Sequence, residues 1–336
     1  MRIAVCAPQV PFVRGGAEIV SDRLVEELLE RGHDAELVRV PFKWYPGEKV
    51  LTQAFLWRLL DLEEADGAAI DLVIATKFPS YAVRHPNKVV WLLHQFRQAY
   101  ELDRTEFGQF DESPEGRALR REVHRLDRLA LGEATKLFAT SRNVAERLER
   151  STGLVPEVLP HPPQELPYRC EEYGDFVLSV GRIDRAKRVE LLLEALGADR
   201  SLRCVVAGEG PDRERLEGLA NERVRFAGRV RADELAELYA TCGAVFYAPV
   251  DEDFGMVPFE AFRAARPVVT TTDAGGPLEV VHDRRTGLVV EPDPAAIARA
   301  LGELLVDETT ARALGEAGRV ETAGVTWDAA IARLLA

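Results

Sequence analysis

The strongest constraint on the fold is a regular alternation of short apolar segments with longer amphipathic ones. The apolar segments span residues 2–6, 35–40, 71–75, 89–93 and 136–139, then 176–180, 204–207, 224–226, 244–247, 268–270 and 288–290. The segments between them have helical spacing, as in residues 17–31, where Val20, Leu24 and Leu28 share one face. Short strands separated by helices predict an α/β fold with parallel sheets and right-handed crossovers.

The alternation is interrupted once, in a segment rich in proline. Residues 155–167 contain prolines at 156, 160, 162, 163 and 167, which suit neither a helix interior nor a central strand. We interpret this segment as a linker between an N-terminal Rossmann-like domain, residues 1–165, and a C-terminal one, residues 166–323. Residues 324–336 have a helical pattern. This helix can pack either on the C-terminal domain or back on the N-terminal domain, and the sequence does not decide between them.

Composition restricts the classes of function. The 336 residues suffice for about two domains, and a net charge of -13 disfavours nucleic acid as a general partner. The chain enters a strand directly after Met1, without a leader pattern, and no window approaches the roughly 18 apolar residues of a membrane-spanning helix. The cysteines are widely spaced, as expected for thiols in a reducing compartment. We therefore predict a cytoplasmic protein.

The segment with the clearest chemical meaning follows the apolar run at 244–247 and opens a predicted helix that ends near residue 265. Its sequence is Asp251-Glu252-Asp253-Phe254-Gly255-Met256-Val257-Pro258-Phe259-Glu260. Backbone N–H groups of Gly255, Met256 and Val257 at the helix start suit a phosphate. Glu252 precedes the helix and can bind sugar hydroxyls, whereas Glu260 on its second turn can bind a ribose diol. The alternative is a pair of surface carboxylates, which the helix dipole favours there.

This segment resembles the E-x7-E signature of the family 4 glycosyltransferases. Other pieces occur in the order of that family, namely Gly15-Gly16-Ala17-Glu18, Gly181-Arg182 with Lys187, Gly208-Glu209-Gly210-Pro211, Phe226-Ala227-Gly228 and Asp273-Ala274-Gly275-Gly276-Pro277. The resemblance implies the GT-B fold, in which two Rossmann-like domains with parallel sheets face each other across a cleft. It places the acceptor on the N-terminal side and the nucleotide-sugar donor on the C-terminal side, and it implies retention of the anomeric configuration.

Two glycines at the mouth of the first predicted helix extend the expected donor site. Gly15 and Gly16 can bring exposed N–H groups close to a diphosphate, although a tight turn is an equally simple explanation. The residues after the first strand do not supply the G-x-G-x-x-G pattern of dinucleotide enzymes. Hydride transfer is therefore disfavoured.

Cations rather than a metal ion are expected to meet the leaving diphosphate. The resemblance assigns this role to Arg182 and Lys187, and fixed cations there would stabilise the transition state. Arg185 and Arg188 are interpreted as solvated charges. Residues 251–253 also form a D-x-D pattern, which holds a divalent metal in another class of transferases, but the following F-G-x-x-x-x-E fits the metal-free class better. We predict no metal and no cofactor beyond the nucleotide-diphosphate sugar itself.

Further candidates rest mainly on the resemblance. His94 ends the apolar segment 89–93, where open α/β sheets bind ligands, and the family commonly places a histidine there against the donor sugar. Arg97 and Tyr100 are weak candidates for acceptor contact, because a salt-bridged arginine and a packed tyrosine explain them equally well. Val230 follows a turn that resembles the nucleobase contact of the family. The stretches 77–80 and 91–100 resemble a mannosyltransferase-like subgroup of surface polysaccharide assembly.

A predicted helix at residues 114–131 carries arginines at 117, 120, 121, 125 and 128. Such a helix can dock on anionic lipid at the inner face of a membrane or on a phosphorylated acceptor. The alternative is a solvated face, and Glu115, Glu122 and Asp127 dilute the positive charge.

We therefore predict an enzyme that moves a hexosyl group from a nucleotide-diphosphate sugar to a hydroxyl of a glycan, lipid-linked or small-molecule acceptor. The predicted catalytic residues are Glu252, His94, Arg182 and Lys187. No carboxylate is marked as a covalent nucleophile, so the same-face route implied by the resemblance is favoured over a double displacement. A sugar-nucleotide epimerase, a phosphorylase and a non-catalytic nucleotide-sugar-binding subunit are the alternatives.

Overall fold

The computed structural model describes residues 1–13, 15–105 and 108–336 and divides the chain into two compact units. Unit 1 comprises Met1–His161 together with Trp327–Ala336, and unit 2 comprises Pro162–Thr326. The C-terminal stretch thus lies in unit 1, although the whole of unit 2 separates it from the rest of that unit along the chain.

Unit 1 alternates strands and helices. Its elements up to the end of the first stretch are β1 (Arg2–Gln9), α1 (Gly16–Glu30), β2 (Asp34–Pro41), α2 (Glu48–Leu59), β3 (Glu64–Ala65), β4 (Ala68–Ala69), β5 (Leu72–Lys77), β6 (Lys88–His94), α3 (Pro114–Gly132), β7 (Lys136–Ala139), α4 (Arg142–Thr152) and β8 (Glu157–Val158). β3 and β4 form a separate hairpin, and the other strands form a six-stranded sheet in the order β2-β1-β5-β6-β7-β8. All pairings in that sheet are parallel.

Unit 2 repeats the alternation. Its elements are β9 (Val177–Val180), α5 (Val189–Ala198), β10 (Cys204–Ala207), α6 (Arg213–Glu217), β11 (Val224–Gly228), α7 (Ala232–Thr241), β12 (Ala244–Phe246), α8 (Met256–Arg263), β13 (Val268–Thr271), β14 (Gly287–Val290), α9 (Pro294–Val306) and α10 (Glu308–Glu321). The strands form a second six-stranded sheet in the order β11-β10-β9-β12-β13-β14, again with parallel pairing throughout. The final helix, α11 (Trp327–Leu335), belongs to unit 1.

The predicted α/β class with two parallel sheets is confirmed. The central strands are buried on both faces because helices cover both sides of each sheet, which explains why their sequences are nearly continuous apolar runs. Part of the predicted linker is a short edge strand, since Glu157 and Val158 pair with Phe138 and Ala139 at the edge of the first sheet. An edge strand leaves one side unpaired, so Pro156 and Pro160 can flank it without costing a ladder hydrogen bond.

The bounds of helix α2 were not predicted, because it has no single apolar face. Val50, Ala54 and Trp57 are buried in the core of unit 1, whereas Phe55 and Leu59 on the opposite side are exposed. Apolar residues on both sides remove the periodic signal by which an amphipathic helix is recognised.

The order of the strands indicates where each unit can bind a ligand. In unit 2 the chain adds strands on one side of β9, through β10 and β11, and then on the other side, beginning with β12. In unit 1 the same reversal occurs between β1 and β5. Open α/β sheets bind ligands outside the carboxyl ends of the strands at such a switch point.

Helix α11 completes the core of unit 1. Trp327 is 4% exposed, and its ring lies 6.1 Å from the ring of Trp91 on β6 in an edge-to-face arrangement. Arg333 forms an ion pair with Glu157 at the edge of the sheet. The helix therefore closes a surface that the first 161 residues leave uncovered.

Candidate active site

A cation and a carboxylate face each other at the switch point of unit 2. Lys187 follows β9 and Glu252 follows β12, and the Lys187 ammonium forms a close ion pair with Oε2 of Glu252. The Tyr247 hydroxyl lies 3.3 Å from the Lys187 Nζ and 3.3 Å from the same Glu252 oxygen. Two of the predicted catalytic residues are thus brought together with a third polar group.

The ionisation states in this cluster follow from burial and mutual attraction. Burial opposes the positive charge of Lys187, but the oxygens of Tyr247 and Glu252 outweigh it and raise the pKa of the ammonium. Burial, followed by the charge of Glu252, raises the pKa of Tyr247. At neutral pH the cluster therefore holds an ammonium and a neutral hydroxyl that can donate to Glu252.

Tyr247 was not singled out from the sequence. It comes directly after the last residue of β12, inside an apolar run, and is 6% exposed. Its only sequence signal was a hydroxyl at the end of a buried strand, immediately before the acidic motif.

The loop after β13 fixes the backbone of Glu252. The Glu252 N–H donates to the Ala274 carbonyl at 2.8 Å, and the Gly276 N–H donates to the Glu252 carbonyl at 2.8 Å. The two loops approach so closely that a Cβ on Gly276 would lie 2.7 Å from the Asp253 carbonyl oxygen. The Asp273–Pro277 piece therefore supports the acidic motif from the side, and its glycine is needed for the approach.

Arg188 also supports these loops, and its interpretation as a solvated charge is wrong. Its side chain is 14% exposed and its guanidinium lies 2.7 Å from an Asp273 carboxylate oxygen. It also donates to the backbone carbonyls of Ala248 at 2.8 Å and Pro249 at 2.9 Å. A hydrogen bond from Arg188 is the main cause of the lowered pKa of Asp273. The arginine thus ties the turn after β9 to the segments that follow β12 and β13.

Arg182 lies at the same edge of the sheet but outside the cluster. Its side chain is 59% exposed and its Nε lies 3.5 Å from Asp184 Oδ2. Asp184 also accepts the Lys187 backbone N–H at 3.1 Å. Asp184 therefore contacts both residues that are predicted to bind the diphosphate. It pairs with the side chain of Arg182 and accepts the backbone N–H of Lys187.

Glu260 occupies the second turn of α8, as predicted, but it is buried. Only 6% of its surface is exposed, and its Oε2 accepts a hydrogen bond from the Tyr239 hydroxyl at 2.7 Å. Burial raises the pKa of Glu260, and the bond from Tyr239 opposes the rise. Tyr239 was missed because it lies on the buried side of α7, where a packed aromatic residue needs no functional explanation. Helix α8 ends at Arg263, slightly before the predicted residue 265.

The start of α8 retains the predicted geometry. Gly255 has φ 81° and turns the chain into the helix at Met256. An L side chain is strained at this φ, so the glycine is needed for the turn. The first N–H groups of the helix, including those of Met256 and Val257, have no partner within the helix by construction of an α-helix.

The glycine turn of unit 1 differs from its prediction in one respect. The Gly15 N–H is not exposed, because it donates to Oε2 of Glu18 at 2.8 Å in a capping interaction. The other oxygen of Glu18 forms an ion pair of 2.6 Å with Lys77 at the end of β5. Burial opposes the charge of Glu18, but Lys77 outweighs it and lowers the pKa of the carboxyl. The pair lies at the switch point of unit 1, beside Gly16.

His94 ends β6, and Arg97 and Tyr100 follow it along the chain. The His94 Nδ1 lies 2.7 Å from the Gln95 carbonyl oxygen, and Arg97 forms an ion pair of 2.5 Å with Glu101. The Tyr100 hydroxyl donates to Asp127 Oδ2 at 2.8 Å. Arg97 is thus in a salt bridge and Tyr100 is packed against the protein, as the structural explanation of these two residues required. Their contact with an acceptor stays a prediction.

Asp127 does not belong to the charged surface of α3, contrary to the sequence interpretation. It is fully buried, and this burial raises its pKa from an ordinary 3.8 to about 7, although the bond from Tyr100 partly opposes the rise. The unfolded chain therefore loses this proton at lower pH than the folded one.

The free energy of unfolding should consequently fall as pH rises from about 4 towards 7, because the folded state holds the extra proton in that window. Asp127→Asn removes the titration. We expect its melting temperature, relative to wild type, to increase between pH 5.5 and 7.5 as measured by differential scanning calorimetry. A constant difference across that range would contradict the neutral state of Asp127.

Val230 lines a cavity of about 600 Å³ in unit 2. The cavity lies between the edge strand β11 and helix α7, and Pro167, Ala227 and Leu238 supply apolar walls. The predicted role of Val230 towards a nucleobase stays a prediction.

In the part of the chain that the structure describes, no three His, Cys, Asp or Glu side chains converge as a possible metal site. No helix among those residues combines the length and apolarity needed to cross a bilayer.

The fold is shared by solved structures along its full length. Sucrose-phosphate synthase from Thermosynechococcus elongatus superposes with a TM-score of 0.78 at 20% identity, over 99% of this chain and 97% of its own. The Anabaena protein HepE in complex with UDP and glucose gives a TM-score of 0.69 at 18% identity, over 100% and 99% of the two chains. WaaG, a glycosyltransferase involved in lipopolysaccharide biosynthesis, gives 0.73 at 20% identity, over 99% and 98%. The predicted GT-B fold is confirmed.

A family model matches much of the second half of the chain. Residues 169–321, somewhat under half of the chain, match the model of glycosyl transferases group 1. The stretch contains the Lys187–Tyr247–Glu252 cluster and the Tyr239–Glu260 pair.

Curated relatives are similar to about half of the chain. The sulfoquinovosyl transferase of Arabidopsis thaliana is 34% identical over 163 residues, 47% of this chain and 32% of the relative. The D-inositol 3-phosphate glycosyltransferase of Corynebacterium diphtheriae is 34% identical over 173 residues, 46% of this chain and 40% of the relative. The alpha-1,3/1,6-mannosyltransferase of Homo sapiens is 30% identical over 166 residues, 43% and 39% of the two chains. The matches thus span well under half of each relative.

Proposed function

We propose that the chain is a retaining glycosyltransferase that moves a hexosyl group from a nucleotide-diphosphate sugar to an acceptor hydroxyl without a metal ion. The observation that carries this proposal is the Lys187–Tyr247–Glu252 cluster at the switch point of unit 2. It joins a cation for the leaving diphosphate to a carboxylate for the sugar, inside the stretch that matches the transferase family.

In the resting cluster each charged group occupies the place of a ligand. Glu252 stands where Lys187 would meet a phosphate oxygen, and Lys187 stands where Glu252 would accept a sugar hydroxyl. Arrival of the donor exchanges these partners, so neither charge is left without a counter-group. Arg182 adds a second cation, the N–H groups of Gly255, Met256 and Val257 face the phosphates, and Glu260 binds the ribose.

The bond changes follow a same-face course. The bond between the anomeric carbon and the outer phosphate oxygen breaks, and the acceptor oxygen bonds to the same face of that carbon. The acceptor proton passes to the departing phosphate, whose added charge Lys187 and Arg182 stabilise. This route needs no protein nucleophile.

A direct assay tests the proposal. The protein is incubated with UDP-hexoses and GDP-hexoses, nucleoside diphosphate release is measured with and without glycan or polyprenyl phosphate-linked acceptors, and the new linkage is assigned by proton NMR. We expect acceptor-dependent release and a linkage with the anomeric configuration of the donor. An inverted linkage would contradict retention. Binding without release would indicate a non-catalytic subunit, and an isomerised nucleotide-sugar would indicate an epimerase.

A further inference from the structure

In the described part of unit 1, the outer side of α2 leaves large apolar side chains exposed. Phe55 is 56% exposed, Leu56 45% and Leu59 80%. They lie opposite the residues that anchor the helix in the core, so folding of unit 1 leaves them in water. Large apolar side chains that are exposed together on one surface mark a site of contact with a protein or a membrane.

Helix α3 lies beside α2 and presents a basic outer side. Both helices pack on the same apolar core, which contains Trp57 of α2 and Val123 of α3, and Arg58 of α2 donates to Glu133 at the end of α3 at 2.9 Å. The two helices are therefore neighbours on the surface of unit 1. Beyond the core residues, α3 exposes Arg121, Arg125, Arg128 and Leu129, which is 55% exposed.

Little of this positive charge is neutralised. Among residues 1–13, 15–105 and 108–336, Arg121 and Arg128 form no ion pair. Arg125 pairs with Glu122 at 3.1 Å, but both side chains are more than half exposed, at 82% and 53%, so water weakens the pair. A basic strip persists here although the whole chain carries a net charge of -13.

We infer that the outer side of α2 and α3 docks on an anionic lipid bilayer. Phe55, Leu56 and Leu59 enter the boundary between headgroups and acyl chains, and the α3 arginines meet lipid phosphates. Tyr45, which is 56% exposed just before α2, adds an aromatic group of the kind enriched at that depth.

Charge argues for lipid over a second copy of the chain. In a two-fold dimer the same patch meets itself, so the α3 arginines of one copy would lie near those of the other. A lipid surface offers the opposite sign of charge together with an apolar layer. The inference is independent of the reaction proposed for unit 2.

Vesicle co-sedimentation tests the docking. The full chain is mixed with phosphatidylcholine vesicles or with vesicles that also contain phosphatidylglycerol. We expect binding to the anionic vesicles that weakens with salt. Phe55→Ser with Leu59→Ser, and separately Arg121→Glu with Arg128→Glu, should each lower the partition coefficient by about tenfold or more.

Matched variants on unit 2 serve as controls. Leu219→Ser with Val306→Ser removes apolar groups that are 66% and 88% exposed, and Arg312→Glu with Arg319→Glu makes the same change in net charge. Both should bind like wild type. The inference is overturned if wild type does not sediment with anionic vesicles, or if the control pairs lose binding equally. It is also overturned if light scattering shows a dimer that Phe55→Ser with Leu59→Ser dissociates.

Discussion

Lys187→Ala should lower kcat by on the order of 10²–10³-fold, because it removes a preorganised positive group from the leaving diphosphate. In the resting protein Glu252 and Tyr247 already position the ammonium, and donor binding replaces Glu252 with the phosphate before charge develops. The measurement is steady-state nucleoside diphosphate release under saturating donor. A melting curve of the variant separates lost turnover from lost folding.

Two milder variants refine this result. Lys187→Arg should restore activity only in part, because a planar guanidinium does not replace a compact ammonium. Tyr247→Phe keeps the Lys187–Glu252 ion pair and removes only the hydroxyl, so we expect a loss of about tenfold. Activity of Lys187→Ala within a few fold of wild type would remove Lys187 from the proposed chemistry.

The same assay with excess EDTA tests metal independence. Wild type should keep near-full activity, because Arg182 and Lys187 supply the positive charge that a divalent ion would otherwise provide. If activity vanishes with EDTA and returns with Mg²⁺ or Mn²⁺, Asp251 and Asp253 are metal ligands and the D-x-D interpretation must be reversed.

The two glutamates should divide binding and turnover between them. Glu260→Gln should weaken the binding of UDP or GDP by about 10- to 100-fold, the range for a lost hydrogen bond to a charged group. Glu252→Gln should lower kcat by about 10²-fold without weakening nucleoside diphosphate binding, since it frees Lys187 from its resting partner. Isothermal titration with UDP and GDP, alongside kcat, separates the two effects.

Glutamine is the informative substitution at both positions. It preserves an acceptor for the Tyr239 hydroxyl, which Glu260→Ala would leave buried without a partner. Equal losses of nucleoside diphosphate affinity in the two variants would contradict the division. Melting curves with and without the nucleotide check that both proteins remain folded.

The central strands could be predicted well from the sequence because they are buried on both faces, so their apolar runs stand out from the amphipathic helices. Lys136–Ala139 and Cys204–Ala207 have the predicted bounds. The acidic motif after β12 was equally visible, since its polar residues interrupt an apolar run at the end of a strand. The strand order, and hence the switch points, could not follow from this local signal, because pairing depends on contacts between distant segments.

Side-chain partnerships were the harder part of the site. Tyr239 and Tyr247 meet the two glutamates from a helix and a strand end, and both are apolar in their sequence context. Arg188 resembled one of several surface cations in the sequence. Its backbone is in the αL conformation, with φ 49°, and its side chain contacts the segments that follow β12 and β13. The Glu18 carboxylate accepts the Gly15 N–H because the start of a helix attracts negative charge, and Glu18 is an anion within the same turn. The sequence analysis had left this N–H available for a diphosphate.

The position of α11 affects how the protein is synthesised. Trp327, which packs against Trp91, leaves the ribosome only after every residue of unit 2 has been translated. Unit 2 can complete its core during translation, whereas unit 1 must wait with an open apolar surface until Trp327–Ala336 has left the ribosome. Unit 1 therefore finishes folding after unit 2, and chaperones that shield nascent chains would meet unit 1 for longer.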